Sequence, residues 1–433
     1  MKASLDLDAF FITQEEREMD FFEELQWRGL VKDVTDAEGI QERFKKPVTC
    51  YCGIDPTADS LHIGHLQQVL LLRRYQMAGH RVIAVCGGAT GMIGDPRPTT
   101  ERKLLTLEQV AENVRCIKKQ VEHFVDFSDP EKGLMVNNHD WFGNMSILEF
   151  LRDYGKYFNI ANMISKETIS KRLESGISFT EFTYTIMQAI DWLHLYRTYN
   201  CEVQFGGSDQ WGNLVSGSDL IRKVCGEQAK VYGITSPLIT KSDGSKFGKS
   251  EGGNIWLDPE RTSAYEFYQF WVNTADSDII SLLKRLSMRS PEEIMDLEKS
   301  LQAEPEKRLA QIALAEELTE LVHGHEGVLR AQKITDTLFH GSIKDLSVEE
   351  IKEGLKDAKK SQIEDGMILT DVLVAAGIAP SKREARQLIQ NGSIQINGDK
   401  VTEADFALQK KDALNQEISI IKKGKKNYFV LTF

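Results

Sequence analysis

Two imidazoles three residues apart, His62-Ile63-Gly64-His65, stand shortly after a stretch, Val48–Ile54, that reads as a β-strand. That spacing puts both rings on one side of a helical turn. Histidine is mostly neutral near pH 7 and easily made a cation, so a pair at a helix entrance suits a phosphate-rich ligand. Taken alone, the pair reads equally well as a helix cap or a surface pair. A second candidate runs from Lys241 to Gly253, where Lys246 and Lys249 flank Gly248 among further glycines and serines. A mobile loop of that kind can close over a triphosphate and neutralise charge that grows in a transition state. Alone, it also fits an exposed basic linker. A third is Tyr184, Gln188 and Asp191, at i, i+4 and i+7. They share a helix face, and their neighbours Ile186, Met187, Ala189, Ile190, Trp192 and Leu193 are apolar. A polar stripe on a buried helix needs partners, and a bound polar ligand is one; a solvated face is the alternative.

A glycine-rich loop, Gly88-x-x-Gly91-x-x-Gly94, resembles a phosphate cradle. It is not G-x-G-x-x-G, and no Gly-Lys-Ser/Thr follows, which argues against a dinucleotide dehydrogenase or a Walker-type ATPase. Asp95, at its end, is a carboxylate that could hold an ammonium group at a sheet edge.

These residues need a scaffold. Gly64 to Met77 reads as a helix ended by Gly79, and Arg81–Cys86 as the next strand. The unit is βαβ and predicts a parallel sheet with helices on its faces, its ligands at the carboxyl ends of the strands. Residues from about 105 to 177 read as a mostly helical insertion between two halves of the sheet. Phe179–Asn200 reads as a long helix, Glu202–Phe205 as a short strand and Asp209–Cys225 as a helix. The pattern from Thr262 to Phe339 is helical. Met367–Phe433 shows a small α/β pattern with turns at Asn391-Gly392 and Asn397-Gly398. The predicted organisation is an extension over 1–20, a Rossmann-like catalytic domain over 21–245, a mobile lysine loop and helical domain over 246–345, a linker over 346–365 and a small domain over 366–433.

The 433 residues exceed one ordinary core. Hydrophobic residues make up 41% and charged residues 27%, the balance of a soluble globular chain, and no apolar run is long enough for a membrane span. The acidic N-terminus lacks the apolar stretch of a secretory signal. None of the six cysteines forms a Cys-x-x-Cys pair, so reduced thiols and a cytoplasmic location are expected. The net charge of −12 argues against uniform nucleic-acid binding. It is unevenly spread: 366–433 holds 10 Lys and Arg against 7 Asp and Glu, so an acidic body carries a basic tail, suggesting a local anionic partner.

The histidine pair after the first strand, with the Lys246-Phe-Gly-Lys249-Ser run after the last, resembles the signature pair of class I aminoacyl-tRNA synthetases. The flanks, Tyr51 to His62, Gly207 to Asn213, and Tyr184-x-x-x-Gln188-x-x-Asp191, are similar to bacterial-type tyrosyl-tRNA synthetases. The resemblance runs from about Phe22 to the C-terminus. It implies activation of L-tyrosine with ATP to tyrosyl-adenylate and pyrophosphate, then transfer of tyrosine to the terminal ribose of tRNA(Tyr). It implies that His62 and His65 stabilise the transferring phosphates and that Lys246 and Lys249 clamp the leaving pyrophosphate. Cys52, Gly53, Asp55, Gly207 and Asp209, with Lys249, fall to ATP, and Gln210 to the tyrosine carboxylate. Tyr184, Gln188 and Asp95 fall to the ammonium; Tyr51 and Asp191 fall to the phenol hydroxyl. Magnesium would come with ATP, with no protein-held metal and no tightly bound cofactor. A homodimer follows from the resemblance alone. The basic tail is similar to a small RNA-binding domain of ribosomal type, with Lys382, Arg383 and Arg386 opening a helix that meets tRNA phosphates and Lys422, Lys423, Lys425 and Lys426 adding to that surface.

One departure stands out. The family often has a lysine before the Glu-Arg pair here formed by Glu101 and Arg102; this chain has Arg97-Pro98-Thr99-Thr100 instead, and Arg97 could supply the charge. A nucleotidyltransferase of small-molecule metabolism would share the histidines but not need the basic tail. A non-catalytic RNA-binding derivative would not need both lysines and the full tyrosine set. A tryptophanyl enzyme would not need Tyr51 paired with Asp191.

Overall fold

The computed structural model describes residues 19–96, 104–173, 176–240, 247, 249–250, 253–339, 341–424 and 427–433. Two compact units emerge. The first takes the chain as far as Leu257 and also Asp276–Gln302; the second takes Asp258–Ala275 and Ala303–Phe433.

The first unit is built on a six-stranded sheet. Its strands are β1 (Asp33–Val34), β2 (Thr49–Ile54), β3 (Arg81–Cys86), β4 (Gly133–Asn137), β5 (Cys201–Gly207) and β6 (Tyr232–Ser236), in the order β1-β6-β5-β2-β3-β4. All neighbours are parallel except the edge strand β1, which is antiparallel to β6. β2 has β3 on one side and β5 on the other. The chain therefore changes direction across the sheet there, and a crevice opens beyond the carboxyl ends of β2 and β5. Val, Ile and Cys dominate the central strands β2 and β3, which are largely buried, as a parallel sheet flanked by helices requires.

The helix Ile63–Met77 follows β2 and ends before Gly79, whose φ of +85° reverses the chain. The helix Phe179–Tyr199 begins at the Ser178 cap and ends with Asn200 in the left-handed region. It presses against Trp211–Cys225 so closely that a Cβ on Gly217 would lie 2.7 Å from the ring of Trp192. Only glycine allows that crossing.

The region expected as a helical insertion differs. Leu107–Val121 is a helix, but β4 follows it and joins the main sheet beside β3. The irregular part begins only after β4, as short helical turns at His139–Phe142, Ile147–Glu149 and Ile160–Ile164. A second difference concerns Asp276–Gln302, expected with the later helices. It belongs to the first unit because buried Arg28 donates to the carbonyls of Lys284, Ser287 and Arg289, and Arg74 to that of Ser287. Glu24 pairs with both arginines.

In the second unit, helices Ala264–Val272 and Leu309–Phe339 pack together, the latter interrupted at Gly324. The stretch expected as a linker is structured: Val348–Gly354 is a helix, and Lys359–Gln362 pairs in parallel with Asn427–Thr432. That strand completes a five-stranded sheet with Asp399–Lys400, Ile394–Ile396 and Ile418–Lys423. The sheet is buried on both faces. Ile418, Ile420 and Val430 pack with Ile334, Leu338 and Ile351, whereas Ile421 and Leu431 pack with Leu373, Ala385 and Ile389. Asn397-Gly398, both at positive φ, closes the expected hairpin. Among the described residues no helix is long and apolar enough to cross a membrane.

Candidate active site

A cavity of about 260 Å³ opens at the crevice beyond β2 and β5. Most of the residues singled out from the sequence line it. Tyr51, Cys52, Gly53 and Asp55 come from β2 and the turn after it. Tyr184, Gln188 and Asp191 come from one face of the long helix, and Gly207, Asp209 and Gln210 from the end of β5. Asp95 and His65 complete the set.

Asp191 is a buried carboxylate of the cavity. Its two oxygens accept from Trp141 Nε1 at 2.9 Å and Asn138 Nδ2 at 3.1 Å, yet burial still pushes its carboxyl up to about 8. Tyr51, 1% exposed, lines the same cavity with its hydroxyl unpartnered. Burial and the Asp191 charge hold that hydroxyl neutral well past its ordinary range. The carbonyl oxygens of Gln188 and Gln204 are also buried without partners. An orphaned buried polar atom costs about 1–3 kcal/mol, so this set is built to be completed by a polar ligand.

Three further carboxylates face the cavity. Asp55 accepts from Tyr184 Oη and from Thr90 Oγ1, each at 2.8 Å. Asp95 accepts from Gln210 Nε2 at 2.7 Å and Asn213 Nδ2 at 3.3 Å. Burial, with smaller contributions from the Asp55 and Asp209 charges, pushes Asp95 up to about 7. A cationic ligand relieves this crowding of like charge. The Cys52 thiol, pushed up to about 12 by burial, stays protonated and is no nucleophile.

The first glycines of the glycine-rich loop are required by close packing. A Cβ on Gly87 would lie 2.2 Å from Asp55 Oδ1, and one on Gly88 2.2 Å from Asn137 Oδ1. These glycines let the loop pass close to the ends of β2 and β4.

The two histidines cap their own helix. His62 Nδ1 accepts from the Gly64 N–H at 3.0 Å, and His65 Nδ1 accepts from the His62 N–H at 3.2 Å. An imidazole that accepts at Nδ1 carries its proton at Nε2, so both rings are fixed as Nε2–H donors. Burial lowers the His62 pKa and favours that neutral form. The rings lie 4.0 Å apart, and His65 lines the cavity.

Lys246 lies outside the described residues, as do Arg97, Arg102, Lys425 and Lys426. The backbone of Lys249–Ser250 pairs with Gly253–Asn254, and the chain then runs alongside the histidines. The Ile63 N–H donates to Ile255 O at 3.0 Å, and the Leu257 N–H to Leu61 O at 2.8 Å. Segments almost two hundred residues apart in sequence are thus joined by an antiparallel bridge between His62 and Trp256. Lys382, Arg383 and Arg386 are exposed on the helix Lys382–Gln390 in the second unit, where Lys382 pairs with Asp371. Among the described residues no three His, Cys, Asp or Glu side chains converge as metal ligands would.

Sequence reasoning missed Thr90, Asn138, Trp141, Gln204 and Gln68. Asn138 and Trp141 follow β4, so identifying Leu134-Met135-Val136 as a strand would have put them at a carboxyl end. Gln204 pairs directly with Tyr51 across β5 and β2, but no motif marks it.

Residues 42–340 match the family model of class I tRNA synthetases (W and Y), and 350–431 that of the tyrosine–tRNA ligase SYY-like C-terminal domain. Tyrosine–tRNA ligase 1 of Bacillus cereus is 50% identical over 419 residues, 96% of this chain and 100% of that protein. Tyrosine–tRNA ligase 1 of Bacillus subtilis is 49% identical over 416 residues, 95% of this chain and 99% of that protein. A C-terminally truncated Aspergillus nidulans mitochondrial tyrosyl-tRNA synthetase superposes with a TM-score of 0.67 at 32% identity, covering 75% of this chain and 96% of that one.

The buried Asp95 carboxyl has a consequence for the empty protein. Its pKa rises from 3.8 unfolded to about 7 folded, so the native state holds a proton that the unfolded chain has released between those values. Its contribution is therefore favourable below about pH 4 and is lost as pH rises towards 7. Asp95→Asn should gain melting temperature relative to the parent steadily from pH 4 to pH 7.5; a pH-independent difference would contradict the assignment.

Proposed function

The chain belongs to the tyrosine–tRNA ligase family of class I aminoacyl-tRNA synthetases, and from that premise we propose a role for each residue of the cavity. The reaction joins L-tyrosine to ATP and then to tRNA. A tyrosine carboxylate oxygen attacks the α-phosphorus, forming the acyl–phosphate bond as the bond to pyrophosphate breaks. A terminal ribose hydroxyl of tRNA then attacks the acyl carbon, and AMP leaves. Neither step needs a covalent protein intermediate, so positioning and electrostatics carry the rate.

The observation that carries the reading is the unpartnered Tyr51 hydroxyl beside the buried Asp191 carboxyl. A phenol hydroxyl completes both, donating to one and accepting from the other. Asp95, Gln188 and Tyr184 take the ammonium, with Asp55 holding the Tyr184 hydroxyl in place. Because Asp95 meets a cation, it serves as the carboxylate, and binding drives off its proton. Gln210, already bonded to Asp95, lies where it can orient the tyrosine carboxylate. Cys52, Gly53, Asp55, Gly207 and Asp209 hold the nucleotide. His62 and His65 present Nε2–H donors to its phosphates, and Lys246 and Lys249 neutralise the departing pyrophosphate. Magnesium would arrive with ATP and supply positive charge to its phosphates, with no residue of this chain assigned to hold it. In ATP–pyrophosphate exchange, tyrosine should support turnover while phenylalanine and tryptophan do not, and Asp191→Ala should reduce the tyrosine rate at least a hundredfold. Equal exchange with phenylalanine would sink the phenol assignment.

The basic helix Lys382–Gln390 is proposed to meet tRNA phosphates, supported by the exposure of its three cations. Replacing Lys382, Arg383 and Arg386 together by alanine should leave exchange intact and weaken tRNA charging, with a shallower salt dependence. Parallel loss of exchange would make the helix structural instead.

A homodimer is also proposed. Ile147, Leu148, Ile160 and Leu173, in the irregular segment after β4, and Phe179, which opens the long helix, are 48–75% exposed, an apolar set that a second copy would cover. Sedimentation should show twice the chain mass, falling to the single mass for Leu148→Glu with Phe179→Glu. Unchanged mass in that variant would place the interface elsewhere. A cytoplasmic location is supported by six unbridged cysteines.

A further inference from the structure

We propose that Gln67, Gln68 and Ser236 form a positioning node that fixes the histidine helix against the carboxyl ends of β5 and β6, and so sets where His65 meets the nucleotide. The proposal rests on the phosphate-binding role assigned to His65 above. Gln67 is 2% exposed and lies on the helix Ile63–Met77. Its Nε2 donates to Ser236 Oγ at 3.0 Å and to Pro237 O at 3.0 Å. A carbonyl can only accept, so Pro237 fixes which way the Gln67 amide faces. Gln68, one residue on, donates from Nε2 to the same Ser236 Oγ at 2.9 Å. Ser236 Oγ in turn donates to Gly206 O at 3.3 Å.

One hydroxyl therefore accepts twice and donates once, which exhausts its hydrogen-bonding capacity. It sits at the last residue of β6, opposite Gly207 at the last residue of β5. Three parts of the nucleotide side are tied through it: the histidine helix, the Gly206-Gly207 strand end that leads to Asp209, and the Pro237-Leu238 exit from β6. The glutamine carbonyl oxygens are left buried and unpartnered, so both amides are held by their donor ends alone. The node fixes the helix about its axis, and the axis angle decides which residues face the cavity. Gln68 and His65 are three apart, share a helix face, and both line it.

The test uses the full-length protein with three readouts. Ser236→Ala, and independently the volume-conserving Gln67→Met, should lower pyrophosphate exchange about tenfold. Tyrosine affinity at equilibrium should be unchanged. So should single-turnover transfer to tRNA from preformed tyrosyl-adenylate, because no phosphate moves from ATP in that step. In a His65→Ala background, Ser236→Ala should cost less than about twofold, because the two changes act through one group. Full exchange in both node variants overturns the proposal. So does a matching fall in exchange, tyrosine affinity and transfer, which is the mark of a merely structural role, and so do effects of Ser236→Ala and His65→Ala that multiply independently. If His65→Ala alone keeps full exchange, the role of His65 falls and the node with it. If His65→Ala is impaired while Ser236→Ala and Gln67→Met are normal, only the node falls.

Discussion

The helix Phe179–Tyr199 is where the hydrogen bonds of the cavity begin and end. From Asp191 the bonds pass through Asn138 to Thr90, from Thr90 to Asp55, and from Asp55 to Tyr184, two helical turns back along the same helix. A second path leaves Thr185, runs through Asn213 to Asp95 and Gln210, and closes between them. Each path is a chain of buried and half-buried polar groups, and each is stable only if every member is satisfied. That requirement fixes the loop after β3, the end of β4 and the start of the helix Trp211–Cys225 relative to one helix. The burial that makes those bonds strong also raises the Asp95 and Asp191 pKa values, so the scaffold holds charge it would give up unless a ligand compensates it.

The histidine pair shows structure and chemistry resting on the same bonds. A helix start leaves N–H groups without partners, normally satisfied by Ser, Thr, Asp or Asn. Here imidazole nitrogens take that place. Because Nδ1 is committed to the cap, the proton sits on Nε2, and a donor faces outwards without a full positive charge. A neutral donor is held at a fixed angle with no counter-ion to displace, and it adds to the positive end of the helix dipole rather than competing with it.

How much of this was legible in the sequence depended on whether the cause was local. The βαβ unit, the histidine helix, the long helix with its polar face and the Asn397-Gly398 hairpin all follow from periodicity and turn chemistry. Twelve of the residues lining the cavity carried a motif and were singled out from the sequence. The rest had non-local causes. β4 is an edge strand of five residues, only partly buried, so Leu134-Met135-Val136 lacks the long apolar run of a central strand. Asp276–Gln302 joins the first unit through arginine bonds to main-chain carbonyls, which leave no trace in the types of the residues they meet. The stretch 346–365 looked like a linker because Lys359–Gln362 is polar; its place as a strand comes from pairing with Asn427–Thr432. Gln204 and Asn138 are buried polar residues whose partners come from other elements. The glycine-rich loop was placed at the sheet edge by its sequence, but the packing of Gly87 on Asp55 and of Gly88 on Asn137 depends on partners from other elements.

On the roles proposed for Tyr51 and Asp191, selectivity follows from leaving these groups incomplete. Phenylalanine presents nearly the same shape as tyrosine, so an apolar pocket would separate them by little. In this cavity phenylalanine would leave the Tyr51 hydroxyl without a partner and bring nothing to the Asp191 carboxyl. Each such group costs about 1–3 kcal/mol, more where charge is involved. The penalty is set in the empty protein, where Tyr51 is already desolvated and Asp191 already raised to about 8. On that proposed assignment, discrimination comes from an unliganded state that a phenol hydroxyl completes.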